Sequence, residues 1–302
     1  MEIIERINQL KKQKKAFILA HNYQLPEVQD VADFVGDSLE MSIVAKNTQA
    51  DVLVCCGVKF MAETAKILSP KKTVLLPRNN AGCPMADMIT AKDVKALKLK
   101  HPQAKVLAYV NTSAEVKAES DLCCTSANSV KMVEKVLKDA KEIIFVPDKN
   151  LGRYTQEVTG RKMIIWPGYC PIHENILEQD VMILKNKYPL AELLVHPECS
   201  EKVVNLADQV LSTGGMLRYV KESKSQEFII GTEKEIIYRL TKENPGKKFY
   251  PITEQTICKD MKYIKLNDVL NSLERMEFSI NLEQDIISRA YLSIKRMIEE
   301  KY

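Results

Sequence analysis

Short apolar runs alternate with amphipathic stretches along this chain, and the pattern repeats with a fixed period. Residues 16–21 (AFILAH) return as 104–109 (AKVLAY) and again as 191–196 (AELLVH), at offsets of 87 or 88 residues. Each copy opens on an amphipathic helix. Its apolar stripe is Ile3, Ile4, Ile7 and Leu10 in the first, Val94 and Leu97 in the second, and Ile176, Leu177, Val181 and Leu184 in the third. A buried strand is expected next, at 17–19, 106–108 and 193–195. The spacing then predicts a helix holding an aspartate in step (Asp33, Asp121, Asp208) and a helix opened by a hydroxyl residue (Ser38, Ser126, Thr213). Second strands are expected at 52–56, 143–146 and 228–230, each trailed by a lysine: Lys59, Lys149, Lys234. Third strands at 73–76, 163–166 and 248–250 run into Pro77, Pro167 and Pro251.

Strands alternating with helices define parallel sheets with helices on their faces. The period makes this an α/β chain of three homologous αβα domains, spanning 1–86, 87–173 and 174–302. Their small sheets are arranged about a pseudo-threefold axis, with the site at the central interface. A single wound sheet of nine strands would leave the period unexplained. Residues 267–276 read as the first helix of a further copy. The last helix carries Ile286, Ile287, Ala290, Tyr291, Ile294, Met297 and Ile298 on one face and has no counterpart. It is expected to pack back across the N-terminal domain.

Composition narrows the class. With 302 residues, 45% apolar and 28% charged, the chain reads as an ordinary globular protein. A net charge of +4 gives no basic footprint for nucleic acid, and Lys11, Lys12, Lys14 and Lys15 read as a solvated helix end. No apolar run approaches the roughly 20 residues that span a bilayer, so no membrane partner is expected. The start, MEIIER, has acids and helical spacing unlike a secretory signal. The expected location is therefore cytoplasmic, where eight cysteines point to metal or catalysis rather than disulfides.

Ligands of parallel α/β units sit beyond the carboxyl ends of the strands. The residues there are His21 and Tyr23, then Tyr109 and Asn111, then His196 and Glu198. Cys83, Cys170 and Cys258 follow the third strands and reach the same edge. Three thiolates without a fourth in register do not match a closed zinc site. They suit a [4Fe–4S] cluster with one iron left open as a Lewis acid, or else three inert packed cysteines. A hydro-lyase would share such an open iron, and a ligand-binding scaffold would need none. Cys55, Cys56, Cys123, Cys124 and Cys199 fall outside the repeat and read as structural. Ser38, Ser126 and Thr213 read as helix N-caps whose free N–H groups would also attract carboxylates or phosphate. Lys59, Lys149 and Lys234 are either turn residues or a source of positive charge. Three of the four histidines, His21, His173 and His196, lie at predicted carboxyl edges.

These residues sit in motifs that resemble the quinolinate synthase family, iron–sulfur enzymes of de novo NAD biosynthesis. The first copy supplies HNYQLPEVQDVADFVGDS (21–38), GVKFMAETAKILSP (57–70) and NNAGCPMADM (79–88). The second supplies YVNTSAEVKAESD (109–121), CTSANS (124–129) and PDKNLGRY (147–154). The third supplies WPGYCPIHE (166–174), VHPEC (195–199), STGGM (212–216) and GTEKEIIYRL (231–240). The resemblance implies three αβα domains around one [4Fe–4S] cluster per chain, ligated by Cys83, Cys170 and Cys258, with one iron free of protein. It implies condensation of iminoaspartate with dihydroxyacetone phosphate to give quinolinate, phosphate and water. Tyr23 and His21 would then assist phosphate loss and the keto–aldo rearrangement. Glu198, with His196, would move protons in ring closure and dehydration, while Tyr109 and Asn111 orient the intermediate. Ser38, Ser126 and Thr213 would hold carboxylates and phosphate, and His173 and Met261 would line the cavity. Cys258 has no neighbouring thiol, so redox switching is not expected there. Because iminoaspartate is unstable in water, a transient aspartate-oxidising partner is expected to deliver it.

Overall fold

The computed structural model describes residues 2–299, so the outermost ends of the first and third expected domains, residue 1 and residues 300–302, lie outside it. The first copy runs α1 (Ile3–Gln13), β1 (Ala16–His21), α2 (Pro26–Val31), β2 (Phe34–Gly36), α3 (Ser38–Asn47), β3 (Val52–Cys56), α4 (Lys59–Leu68) and β4 (Thr73–Leu75). The second runs α5 (Ala91–Lys100), β5 (Ala104–Tyr109), α6 (Ala114–Ala118), β6 (Leu122–Cys124), α7 (Ser129–Lys131), β7 (Glu142–Val146), α8 (Lys149–Thr159) and β8 (Ile164–Ile165). After α9 (Pro171–Glu174), which straddles the boundary, the third runs α10 (Glu178–Lys187), β9 (Glu192–Val195), α11 (Glu201–Val204) and β10 (Gln209–Val210). It continues through α12 (Thr213–Glu222), β11 (Glu227–Gly231), α13 (Ile236–Glu243) and β12 (Lys248–Pro251). Helices α14 (Leu266–Arg275) and α15 (Gln284–Glu299) close the chain.

Three separate four-stranded sheets result, all parallel and identical in order: β2-β1-β3-β4, β6-β5-β7-β8 and β10-β9-β11-β12. The central strands are covered on both faces. That is why β3 reads VLVCC and is buried throughout. One apolar core runs from the first copy through the second to α12 and α13. A smaller core under α10, with Val181, Leu193, Val203 and Ile229, serves the outer half of the third copy.

The structure corrects three expectations. First, each sheet has four strands rather than three, because the stretch read as an aspartate-bearing helix ends early. Asp33, Asp121 and Asp208 lie just past α2, α6 and α11, where a short edge strand begins. Their carboxylates accept from the backbone N–H of Ile18, Val106 and Leu193 at 2.7 to 2.9 Å. One repeated aspartate therefore joins edge strand to central strand in every copy. Second, the hydroxyl residues are not the caps. Asp37 and Ser212 cap α3 and α12, which leaves Ser38 and Thr213 at the first helical position. In the second copy the helix starts only at Ser129 and continues as a π-turn over Met132–Val136, so Ser126 sits in the loop before it. Third, the expected seat of α15 on the first copy is only part of its packing: it lies against α4 and α3 there and also against α6 and β6 of the second copy. At the second copy its apolar stripe joins the core, Ser293 Oγ donates to the Lys117 carbonyl at 3.0 Å and Arg289 pairs with Glu119 at 2.6 Å. Helix α14 is the one that packs on α1.

Candidate active site

The carboxyl ends of all three sheets meet around one cavity of about 70 Å³. Strands β1 and β5 end on His21 and Tyr109, and His196 directly follows β9. The next turns bring in Tyr23, Asn111 and Glu198. All ten residues expected at the substrate line this cavity, including Ser38, Ser126, His173 and Thr213. So do the three cysteines expected at the metal, and Met261. Lys59, Lys149 and Lys234 do not line it. Each repeats a backbone bond instead, donating N–H to Ala81, Gly168 and Thr256 at 2.7 to 3.0 Å. Their side chains pair with Glu63, Glu174 and Glu254.

Two hubs organise the polar side chains. Glu198 is 3% exposed. It accepts from the Tyr109 hydroxyl at 2.6 Å, and its other oxygen lies 2.8 Å from His173 Nδ1 and 4.0 Å from His196 Nδ1. Burial pushes this carboxyl up, but His173 and His196, with hydrogen bonds from His173 and Tyr109, outweigh it and hold Glu198 well below the usual carboxylate range. The second hub is Thr232, whose hydroxyl lies 2.5 Å from the Tyr23 hydroxyl and 2.8 Å from His173 Nε2. The rings of His173 and His196 stack at 4.8 Å, and Tyr23 meets His21 edge-on at 4.6 Å. Burial, with Lys262 and His196 nearby, holds His21 down to about 3. Burial also takes His196 to about 3, helped by His173 and opposed by Glu198. Both rings are neutral at pH 7. Tyr23 and Tyr109 are pushed well up by burial and by Glu198, so their phenols keep their protons. The site thus pairs a carboxylate fixed in its charged form with acids that hold theirs, the separation that acid–base chemistry requires.

The thiols divide into two groups. Cys83, Cys170 and Cys258 are partly exposed at the cavity, while Cys55, Cys56, Cys123, Cys124 and Cys199 are fully buried. Burial raises all three cavity thiols, Cys258 to about 11, and Cys83 and Cys258 each raise Cys170 further. Neutral thiols that share a cavity and give up protons to a metal are the donor set an iron–sulfur cluster uses, and one thiol arrives from each copy. The residues fit that group. A tighter set, Cys170, His173 and Glu198, has ligating atoms all within 4.8 Å of one another.

Sequence reading missed several residues here. Glu233, fully buried at the cavity wall, accepts from the Cys258 N–H at 3.3 Å and pairs with Lys262 at 2.8 Å. Lys262 Nζ also donates to the Tyr23 carbonyl. Glu63 Oε2 accepts from Ala114 N–H at 2.9 Å, and the buried Lys117 donates to the Thr112 carbonyl, so together they fix the loop that carries Asn111. A signal existed for Glu233. It immediately precedes the repeated lysine, in step with Val58 and Asp148.

Repeated α/β units that focus acid–base side chains and thiols on one buried cavity define an α/β enzyme acting on small molecules. Known proteins agree. A family model described as quinolinate synthetase A protein matches residues 5–299. Quinolinate synthase of Dehalococcoides mccartyi strain CBDB1 is 52% identical over 296 residues, 98% of this chain and 97% of its own. Quinolinate synthase of Desulforudis audaxviator is 50% identical, covering 98% of each chain. Quinolinate synthase 1 of Methanosarcina acetivorans is 50% identical, covering 99% of this chain and 98% of its own. The chain belongs to the quinolinate synthetase A family, enzymes of NAD biosynthesis.

Proposed function

We propose that this enzyme condenses iminoaspartate with dihydroxyacetone phosphate to give quinolinate, one phosphate and two waters. Those products hold every atom of the two substrates, with no net oxidation. The observation that carries the reading is the convergence of thirteen residues from three copies on one cavity. Cys83, Cys170 and Cys258 would hold a [4Fe–4S] cluster. When bound, it supplies a Lewis acid through its unligated iron.

The roles of the side chains follow from their protonation and neighbours. Tyr23, kept as a phenol and backed by Thr232, gives a proton to the departing phosphate oxygen, and neutral His21 beside it takes the proton moved in the keto–aldo rearrangement. Glu198 stays ionised and accepts protons in ring closure and dehydration, with His196 next to it. Tyr109 donates to Glu198 and holds it in place. Asn111 Oδ1 is buried without a partner, which leaves it free to accept from an N–H or O–H of the intermediate. Ser38 and Thr213, each in the first turn of a helix, bind the carboxylates and phosphate where the helix partial charge favours anions. Ser126, 3.1 Å from His196 Nε2, and His173, which bridges Glu198 and Thr232, complete the wall.

We read the chain as three units at 1–86, 87–173 and 174–302, with the reaction at their junction. Its eight free cysteines suit a reducing cytoplasm, and among the described residues no helix is long and apolar enough to cross a membrane. Delivery of iminoaspartate by an aspartate-oxidising enzyme predicts faster quinolinate formation when the two proteins are mixed than when a dialysis membrane separates them. The direct test is anaerobic purification with iron and acid-labile sulfide analysis, followed by assay with both substrates. About four of each per chain and quinolinate formed at the expense of dihydroxyacetone phosphate support the reading. A single zinc ion, or no consumption of the phosphate ester, overturns it.

A further inference from the structure

Resting on the anion-binding role proposed for Thr213, we infer that Asn22 and Arg239 are positioning residues that aim the Thr213 hydroxyl proton at the ligand. Asn22 is fully buried, and its backbone N–H donates to the Gly36 carbonyl at 3.0 Å. Arg239 enters from α13 of the third copy. Its Nη1 donates to Asn22 Oδ1 at 2.8 Å and to the Val35 carbonyl at 2.6 Å, while Nε pairs with Glu243 at 2.6 Å.

A guanidinium only donates, so it fixes which end of the Asn22 amide faces it. The carbonyl oxygen must point to Arg239. The NH₂ group must then point the other way, where it lies 3.0 Å from Thr213 Oγ1. Thr213 therefore receives a hydrogen bond from Asn22, which takes up one of its lone pairs. Its own proton is left for the cavity that it lines. An uncontrolled hydroxyl would be free to offer a lone pair to an incoming carboxylate or phosphate, and such a contact repels. The chain Arg239–Asn22–Thr213 removes that orientation before the ligand arrives, which is preorganisation in the sense that governs binding. It also links α13 to the first turn of α12 through the turn after β1, so the donor is set only when the first and third copies are together.

The test reverses the polarity of the middle link. Asn22→Asp keeps the size and strengthens the contact to Arg239, but presents an acceptor to Thr213 and draws the hydroxyl proton away from the cavity. Binding of quinolinate to the cluster-reconstituted protein is measured by calorimetry for Asn22→Asp, Thr213→Val and the double variant. Thermal melts check that each is folded. Losing a hydrogen bond to a charged group weakens binding by about tenfold or more. Each single variant is expected to show that loss and to raise KM for a substrate more than it lowers kcat. The double variant is expected to be no worse than either, because both remove the same donor. Arg239→Lys, which retains a donor, is expected to bind quinolinate nearly as the parent does, and Arg239→Ala to bind as Asn22→Asp does. Additive losses, or normal binding by Asn22→Asp beside weak binding by Thr213→Val, overturn the inference. Normal binding by Thr213→Val removes the role on which it rests, which is a separate and recognisable failure.

Discussion

Tyr23 keeps its proton at neutral pH because it is buried beside Glu198, and its hydroxyl lies 2.5 Å from that of Thr232. Tyr23→Phe preserves the ring that packs on His21 and removes the hydroxyl alone, the proton donor of the proposed reaction. Turnover is expected to fall by about 10²–10⁴-fold, the usual worth of a positioned proton donor, while iron per chain stays at the parental level. Loss of iron together with activity would show that Tyr23 is structural. The histidines make a pH prediction. His21 and His196 are held near 3 when folded, whereas an unfolded histidine titrates near 6.5. As pH falls below about 6.5 the unfolded chain takes up protons that the folded one refuses, so stability is lost from there down toward 3. Asp37, raised to about 6 by burial and by Glu40, opposes this between roughly 4 and 6. Urea melts at pH 7.0 and 5.5 should show the loss, and His21→Gln should lessen it. At this scale the cavity-lining side chains were legible because the repeat aligns them: 21 with 109 and 196, 23 with 111 and 198. Residues that act through another residue were not. Thr232, Asn22 and Arg239 matter because of contacts across 59 to 217 positions of sequence, and no local pattern records such contacts.

Among the elements, the expected strands match the central strands closely because parallel strands buried on both faces must be continuous apolar runs. The edge strands β2, β6 and β10 escaped because β10 has two residues and β2 and β6 three each, too short to show a period of two. What holds them is the repeated aspartate. Asp33, Asp121 and Asp208 each bond a central-strand N–H and each meet a lysine, Lys11, Lys105 or Lys185, at 2.7 to 3.3 Å. Removing such a carboxylate leaves a strand N–H without its partner and is expected to cost about 1–3 kcal/mol. The side chain of Asp121 is 22% exposed and that of Asp208 45%. Asp121→Ala should therefore destabilise more than Asp208→Ala, since water can replace the lost acceptor more readily at 208. Denaturant melts of the two variants decide it. Equal and negligible effects would mean that strand pairing alone holds the edges.

For the whole molecule, the threefold period announced three sheets, but not how they would be joined. Helix α15 lies across α6 and β6 of the second copy, where Ser293 and Arg289 bond Lys117 and Glu119, and also packs against α4 of the first, a division that its apolar stripe could not announce. The candidate metal site adds a second kind of junction. Cys83, Cys170 and Cys258 follow β4, β8 and β12, one in each copy. On the proposed reading, a cluster bound to all three cross-links units that otherwise meet through side-chain packing and hydrogen bonds. A group that binds only the folded arrangement stabilises it by mass action, and for thiolate sites much of the binding free energy appears as folding free energy. Cluster-loaded protein is therefore expected to melt several degrees above protein stripped by a chelator under anaerobic conditions. Cys258→Ala is expected to melt at the stripped temperature whether or not iron and sulfide are supplied. The buried thiols provide the control: Cys124→Ala removes a strand-core sulfur that does not line the cavity, so it should lower both melts while keeping the gap between them. Identical melts for loaded and stripped parent protein would mean that the three thiols do not act together across the copies, whatever metal they bind.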